Sequence, residues 1–189
     1  MARASLLSRI SQPYDRIEFI HMSSEGLQDR AQGVTAEEFR RACGRFATGV
    51  TIAGVIDPKG TPHGLTVNSF TSVSLHPPLV LIALAHSASV MEAFRDARCF
   101  AVNVLAAGQR ALSERFARKG EDRFDGLAWQ PGVTGAPLLS GTLAGIECAV
   151  RYRFTAGDHD LLVGEVVRAV IRDGAPLLYF AGRYRQLPV

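Results

Sequence analysis

The sequence predicts a mainly β domain, an antiparallel barrel with peripheral helices, behind an N-terminal extension. Roughly seven segments have the β-branched, alternating or continuously apolar composition of strands, against three short helical segments. Most connections between the strand segments are short, which favours antiparallel pairing. Hydrophobic residues make up 47% of the 189 residues, so the chain can bury a packed core.

The N-terminal extension, residues 1–33, shows no sustained hydrophobic period, and we expect it to be flexible. Arg3 and Arg9 occur in it without a nearby acidic residue, a weak feature of a transit peptide, but a disordered leader is the favoured interpretation. The domain itself is expected to span residues 34–189. No apolar run reaches the roughly 20 residues of a membrane-spanning helix, so we expect no membrane partner.

Three segments have helical patterns. Thr35-Ala-Glu-Glu38 is a capping box that begins the first helix, and Ser89-Val-Met-Glu92 is a second capping box that begins a helix reaching about Ala97. Arg110–Arg118 is predicted to form the third helix. The first helix is expected to present one apolar face, made of Phe39, Cys43 and Phe46.

The strand segments are separated by turn signals. Asp57-Pro-Lys-Gly60 has the composition of a type I turn, and Ala156–His159 and Asp173-Gly174 are further turn signals. Residues 119–140 are polar and rich in Gly and Pro, which predicts a long loop of the kind that often carries function. The predicted strands are Gly49–Ile56, Gly64–Leu75, Leu79–Ala85, Cys99–Leu105, Thr142–Phe154, Leu161–Ile171 and Leu177–Tyr184.

The second strand segment is unusually polar. Its alternation predicts a packed face of Leu65, Val67, Val73 and Leu75 and a polar face of Thr66, Asn68, Ser72 and Ser74. Ser69-Phe-Thr71 inverts the alternation, which predicts a bulge or an irregular turn. A bulge would turn backbone groups outward beside the Asn68 amide, a combination that suits a planar heterocycle. On composition alone, a solvent-exposed strand remains the more common explanation.

Several classes of function find no support. Gly-x-Gly-x-x-Gly after a strand, the P-loop motif and Gly-x-Ser-x-Gly are all absent. The five histidines and three cysteines lack metal-ligand spacing. The net charge is +3, and the Lys and Arg residues are scattered along the chain, which is poor support for a nucleic-acid partner. Cys43, Cys99 and Cys148 are odd in number and far apart, which predicts free thiols in a reducing cytoplasm.

Polar residues at three other places are weaker candidates for a binding site. Ser87 and Ser89 lie where a buried strand meets a helix start, a place that favours phosphate, although Ser89 alone is explained as a helix cap. His159 lies at a predicted turn, where a histidine is usually only exposed. Arg183-Tyr-Arg185 is a basic and aromatic end of the kind that is usually surface, but beside an anionic cofactor it could close the site.

Taken in order, several of these segments resemble the flavin reductase domain, the short-chain NAD(P)H:flavin oxidoreductase family of two-component flavin monooxygenases. The resemblance covers residues 35–187. One departure is His76, where the family commonly has an acidic residue. The matching segments are Phe39–Thr51, Gly64–Leu79, Phe100–Leu105, Gly135–Leu139 and Gly157–Glu165.

The resemblance implies an FMN-binding split β-barrel and a homodimer. NADH or NADPH would reduce FMN or FAD, and the reduced flavin would pass to a separate flavin-dependent monooxygenase. No residue is implied as an acid or base, because the cofactors carry the reaction. His159 and Tyr184 would lie beside the nicotinamide. The flavin would be held by Thr66, Val67, Asn68, Ser69, Ser72, Ser87, Ser89 and Phe116.

Other interpretations stay open at this point. A flavin-binding electron carrier or sensor would bind flavin without turnover of either nicotinamide. An oxidase of the pyridoxamine-phosphate type would share the barrel, although the Gly157-Asp-His159 turn speaks weakly against it. A purely structural domain would take up no flavin.

Overall fold

The computed structural model describes residues 33–120 and 122–187, in two compact units, Met1–Cys43 and Gly44–Val189. In the first unit, helix α1 spans Ala36–Cys43. Its predicted capping box is confirmed, because the Thr35 hydroxyl accepts a bond from the Glu38 amide while the Glu38 carboxylate accepts one from the Thr35 amide. All but one residue of the predicted N-terminal extension lie outside the described residues.

The apolar face predicted for the first helix is wrong. Helix α1 ends at Cys43, so Phe46 is not part of it. Phe39 and Phe46 are 61% and 77% exposed, and Cys43 is exposed as well. The period of the sequence pattern extends three residues beyond the helix that forms, and among the described residues none buries Phe39 or Cys43.

The described part of the second unit is mainly β, as predicted, and has few helices. Helix α2 spans Met91–Arg95, helix α3 spans Arg110–Ala117, and a single 3-10 turn, Ala107–Gln109, precedes α3. The strands are β1 (Thr48–Gly49), β2 (Thr51–Ile56), β3 (Pro62–Val67), β4 (Thr71–Leu75), β5 (Pro78–Ala85), β6 (Cys99–Val104), β7 (Trp129–Pro131), β8 (Pro137–Leu139), β9 (Ala144–Ala156), β10 (His159–Ile171), β11 (Leu178–Phe180) and β12 (Arg183–Arg185).

Seven of these strands form one antiparallel sheet in the order β3-β2-β6-β9-β10-β5-β4. Its two edges, β3 and β4, are consecutive in the chain and are joined only by residues 68–70. In a flat sheet they would be roughly 29 Å apart, at about 4.8 Å per strand. The link from Val67 to Thr71 spans at most about 14 Å, so the sheet must curl until its edges approach each other.

The edge-to-edge link is attached to β5 through Ser69. Its hydroxyl donates to the Ala83 carbonyl at 3.0 Å and accepts from the Ala83 amide at 2.9 Å. Within the described residues, no backbone ladder joins β3 to β4 directly. The predicted interruption of the strand at residues 69–71 is therefore confirmed in position, and a second irregularity separates Ser72 from Ser74 in the pairing with β5.

The packed face predicted for this polar segment is correct for β3 and wrong for β4. Val67 is buried, but Val73 and Leu75 are 53% and 81% exposed. The pairing of β4 with β5 shifts register between Ser72 and Ser74, so the alternation does not continue through β4, which is also an edge strand.

Two hydrophobic clusters pack against the sheet. One lies under α2 and includes Phe94, Phe100, Ile82 and Leu162, all at most 1% exposed. The other lies under α3 and is formed by Val50, Ile52, Leu105, Phe116, Phe124, Leu139 and Leu177. Burying each large side chain contributes about 1.5–3 kcal/mol, so both helices are held on the sheet mainly by these contacts.

Two predicted features near the C-terminal half need correction. The segment Leu177–Tyr184 is a hairpin of β11 and β12 rather than one strand, and it turns at Ala181 and Gly182, whose φ angles are 48° and 76°. The predicted loop 119–140 contains the short hairpin β7–β8. Both hairpins are too short to give a clear alternation in the sequence.

Candidate functional site

A hydroxyl network links the polar strand β3 to the C-terminal hairpin through helix α3. The Thr66 hydroxyl donates a 2.6 Å bond to the Ser113 carbonyl. The Ser113 hydroxyl, which is fully buried, lies 2.9 Å from the Tyr184 hydroxyl. Thr66 and Tyr184, which are far apart in sequence, are therefore both hydrogen-bonded to Ser113 of α3.

The aromatic ring of Tyr184 is held on two sides. The Tyr179 ring packs edge-on against it at a centroid distance of 5.4 Å, and the Arg110 guanidinium lies 5.2 Å from its centroid. Phe116, on the same helix as Ser113, is 1% exposed and packs edge-on against Phe124 at 4.9 Å. The Phe116 ring is thus part of the core beneath this network.

Arg123 is the central residue that sequence reasoning missed. Its Nη1 donates to the Gly64 carbonyl at 2.6 Å, and its Nη2 donates to the Ser89 hydroxyl at 2.8 Å. The residue is only 7% exposed, and its Nε has no hydrogen-bond partner among the described residues. The sequence offered no signal for it beyond its place in the 119–140 segment that was predicted to carry function.

The turn that carries Arg123 is fixed from both sides. Arg115 on α3 donates to the carbonyls of Asp122 and Asp125 at 2.9 and 2.5 Å, while Phe124 packs against the core.

At Gly64 a Cβ atom would lie 2.9 Å from both the Ala53 carbonyl oxygen and the Phe116 ring. Glycine is therefore needed at position 64, whose carbonyl binds the Arg123 guanidinium.

The second predicted capping box is wrong. Helix α2 begins at Met91, and no side-chain hydrogen bond caps it. The Ser89 hydroxyl instead accepts the bond from Arg123. Because an acceptor role leaves the hydroxyl hydrogen of Ser89 available, this residue can still donate to a ligand.

The remaining residues predicted to hold a flavin lie along β3, β4 and their link. Val67 is buried, and its carbonyl accepts a 2.9 Å bond from the Thr51 hydroxyl. Asn68 and Ser72 are exposed, whereas Ser69 is half-buried and bound to β5. Asn68 therefore presents its amide at the surface, while the Ser69 hydroxyl is engaged in holding the link in place.

His86 and Asp160 form a second polar group at the end of β5 and β10. The His86 Nε2 lies 2.8 Å from the Asp160 Oδ1, and the Thr155 hydroxyl donates to the same oxygen at 2.9 Å. The bond with His86, followed by that from Thr155, holds the pKa of the Asp160 carboxyl below its ordinary value. This end of the sheet is consequently held together by polar contacts at the surface.

Two predicted residues, Ser87 and His159, lie at this same end. His159 pairs with Ala85 across the β5–β10 ladder, and the His86 amide donates to the Asp158 carbonyl at 2.9 Å. The His159 Nδ1 lies 2.7 Å from the Asp158 carboxylate, and this bond lowers the pKa of Asp158. Ser87 follows His86 directly and is exposed.

A groove of about 710 Å³ opens beside Ser89, between the β2–β3 turn, α2 and the start of β6. Its polar lining includes an Asp57–His63 pair, in which Oδ2 and Nε2 lie 3.0 Å apart. Bonds from the Thr61 amide and then from His63 lower the pKa of Asp57. The groove has the volume of a small-molecule site.

The structure thus places most of the predicted residues in three groups. Around α3, Ser113 bonds both Thr66 and Tyr184. Arg123 joins Ser89 to the Gly64 carbonyl of β3, and the Phe116 ring lies against that same glycine. Ser87 and His159 share the end of β5 and β10. Asn68, Ser69 and Ser72 lie on the link and on β4.

Two other kinds of site are absent over residues 33–120 and 122–187. No group of three or more His, Cys, Asp or Glu side chains is placed to hold a metal ion. No helix in that part of the chain is both long and apolar enough to span a membrane.

The fold and the site define a small, mainly β protein with a buried cation beside polar strand segments. The chain belongs to the flavin reductase family, since the model described as "Flavin reductase like domain" matches residues 43–188. The resemblance seen in the sequence is therefore confirmed.

Among curated proteins, the chain is similar to the FMN reductase (NADH) SmoA of Agrobacterium fabrum. The two are 49% identical over 152 residues, which covers 80% of this chain and 86% of the relative. It is also 42% identical over 147 residues to the reductase component of the flavin-dependent trigonelline monooxygenase of Acinetobacter baylyi. That match covers 78% of this chain but only 47% of the relative, so the chain spans less than half of that protein.

Among solved structures, the chain is similar to the NADH:FAD oxidoreductase of Streptomyces globisporus C-1027, determined in complex with NAD and FAD fragments. The TM-score is 0.77 at 39% identity, and the match covers 84% of this chain and 98% of the other.

Proposed function

We propose that this chain is an NADH-dependent flavin reductase that reduces FMN or FAD, with NADPH as the alternative donor. The observation that carries the proposal is the family match over residues 43–188, supported by a 49% identical relative named for NADH-dependent FMN reduction. An NADH-dependent FAD reductase of Streptomyces globisporus is 41% identical over 157 residues, which supports FAD as the other acceptor.

The residues of the site fit a phosphorylated flavin. A buried guanidinium with an unpartnered Nε lies beside Ser89, which suits a cofactor that carries negative charge. We propose that Ser87 and Ser89 meet the phosphate and that Phe116 lies in the segment flanking the flavin. The ring system and ribityl chain would be held by Thr66, Val67, Asn68, Ser69 and Ser72.

Bound flavin supplies the redox chemistry, as acceptor of a hydride from the reduced nicotinamide. The chain's own residues bind and orient the flavin and the nicotinamide. His159 and Tyr184 are proposed to lie beside the nicotinamide, and the Tyr184 ring is suited to this because Ser113, Tyr179 and Arg110 hold it in one place. A pre-positioned side chain loses little entropy when the donor binds.

We propose that the chain forms a homodimer and that its curled sheet is the FMN-binding split barrel of the family. The exposed side chains of Val73 and Leu75 on the edge strand β4 support a subunit contact there, because such edges are normally covered or charged. Light scattering on the wild type and on Leu75→Lys tests this: we expect a dimer for the former and a weakened dimer for the latter.

We further propose that the reduced flavin serves a separate flavin-dependent monooxygenase. Relatives named as reductase components or subunits of such enzymes, from Acinetobacter baylyi and Rhodococcus jostii, support this role. A cytoplasmic location is proposed as well, on the ground that Cys43, Cys99 and Cys148 are all free thiols.

Steady-state assays test the proposed activity. NADH consumption in air should require both the protein and added FMN or FAD, and should be lost on heat denaturation. NADH loss that does not depend on flavin would contradict the proposal. Tight flavin binding without consumption of NADH or NADPH would favour an electron carrier or sensor instead.

A further inference from the structure

We propose that Arg123 selects phosphorylated flavins over riboflavin by binding the flavin phosphate together with Ser89. The inference rests on the proposed function and deepens it, since it names the chemical class of flavin that this chain takes. It is carried by the burial, the contacts and the unpaired charge of one guanidinium.

The charge of Arg123 is buried without a counter-ion. Over the described residues, no carboxylate forms an ion pair with it, although the residue is only 7% exposed. Burial lowers the pKa of Arg123 from its ordinary value, but a guanidinium stays protonated at neutral pH. A buried, unpaired charge is costly, so an anion that reaches this guanidinium would be bound strongly.

The hydrogen bonds of Arg123 orient the guanidinium and leave donors free. A guanidinium has five N–H groups. Two of its nitrogens each bind one protein oxygen, the Gly64 carbonyl and the Ser89 hydroxyl, and Nε binds none. Because Ser89 accepts from Arg123, its own hydrogen is available for the same anion. Arginine and hydroxyl donors side by side are well suited to a phosphate.

The position of Arg123 favours the flavin phosphate over the phosphates of NADH. Gly64, its carbonyl partner, lies on β3 two residues before Thr66, on the strand proposed to hold the flavin. His159, which is proposed to lie beside the nicotinamide, is by contrast at the end of β5 and β10. The nicotinamide dinucleotide is the competing source of phosphate, and the experiment separates the two.

The test is a set of equilibrium titrations without turnover. Quenching of flavin fluorescence gives the Kd for FMN, FAD and riboflavin, and a separate titration gives the Kd for NADH. The variants are Arg123→Gln, Arg123→Lys and, as the matched control, Arg118→Gln, which changes an exposed arginine of the neighbouring segment. Thermal unfolding of each variant reports whether it is folded.

We expect Arg123→Gln to raise the Kd for FMN and FAD by about 10- to 100-fold, since charge-assisted hydrogen bonds are lost. The Kd for riboflavin and for NADH should change less than about threefold, and Arg123→Lys should fall between the wild type and Arg123→Gln. Equal weakening of all three flavins would overturn the proposal, because it would mean a structural role. Weakening of NADH alone, or no change at all, would overturn it as well.

A measurement on the wild type covers the case in which Arg123→Gln does not fold. Inorganic phosphate should compete with FMN and leave riboflavin binding unchanged, and a lack of competition would contradict the proposal.

Failure of the proposed function has a different signature. Phosphorylated flavins would then still bind more tightly than riboflavin, but neither NADH nor NADPH would be consumed.

Discussion

The hydroxyl of Thr66 lies 2.6 Å from the backbone carbonyl of Ser113 and fixes the polar strand β3 against helix α3. We expect Thr66→Val, which keeps the shape and removes the donor, to lower the free energy of unfolding by about 1 kcal/mol. Thr66→Ser keeps the donor and should lose less. Urea denaturation measures both, and equal stability of wild type and Thr66→Val would show that the bond contributes nothing.

The contact between the Ser113 and Tyr184 hydroxyls, 2.9 Å apart, is predicted to couple α3 to the C-terminal hairpin. A double-mutant cycle with Ser113→Ala and Tyr184→Phe should give a coupling energy of about 0.5–1.5 kcal/mol in unfolding experiments. The single variants should also raise the KM for NADH more than that for flavin, because both release the Tyr184 ring. Strictly additive effects on stability would contradict the coupling.

Replacement of His159 tests the proposed nicotinamide position. The side chain is half-exposed at the tip of the β9–β10 hairpin and, within the described residues, is bonded only to neighbouring Asp158, so its loss should leave the fold intact. We expect His159→Ala to raise the apparent KM for NADH several-fold more than that for flavin. His76→Ala, which changes an exposed histidine between β4 and β5, is the control. If both KM values rise equally in His159→Ala, the residue has no specific role toward NADH.

The buried thiol of Cys148 predicts a loss of stability at alkaline pH. Burial, reinforced by Cys99 and Glu147, raises the pKa of Cys148 to about 12 from an ordinary value of 9.0. Above pH 9 the unfolded chain loses this proton while the folded chain keeps it, so stability falls as the pH rises toward 12. The slope from this group is expected to be about 1 kcal/mol per pH unit.

Unfolding of the wild type and of Cys148→Ala between pH 8 and pH 10 isolates this contribution, which should begin at about the ordinary thiol pKa. The variant is expected to be less stable at neutral pH, because of the cavity, but to have a shallower alkaline slope. Cys43→Ala removes an exposed thiol and serves as the control. Identical slopes in wild type and Cys148→Ala would contradict the prediction.

Two capping boxes with the same pattern show what local sequence can predict. The box at Thr35 forms, because both of its partners lie within one helical turn. The box at Ser89 does not form: the helix begins two residues later, at Met91, and the Ser89 hydroxyl accepts from Arg123, which is 34 residues away. A hydrogen-bond partner so distant in sequence leaves no local pattern.

For turns and strand faces, too, the features fixed by local contacts could be predicted and those fixed by distant contacts could not. The Asp57–Gly60 turn was predictable because its bonds are local: the Gly60 amide donates to the Asp57 carbonyl at 3.0 Å. The alternation that placed Val67 correctly failed for Val73 and Leu75, because burial there depends on strand order, and β4 lies at an edge. The candidate site was predictable only in part for the same reason, since Ser113 and Arg123 join it through tertiary contacts.

Anaerobic mixing of the protein with NADH and flavin tests the central claim most directly. With catalytic protein, FMN or FAD absorbance and NADH absorbance should disappear together in a one-to-one ratio, and the flavin colour should return when air is admitted. If neither flavin is bleached faster than in a protein-free mixture, with NADH or with NADPH as donor, the chain is not a flavin reductase.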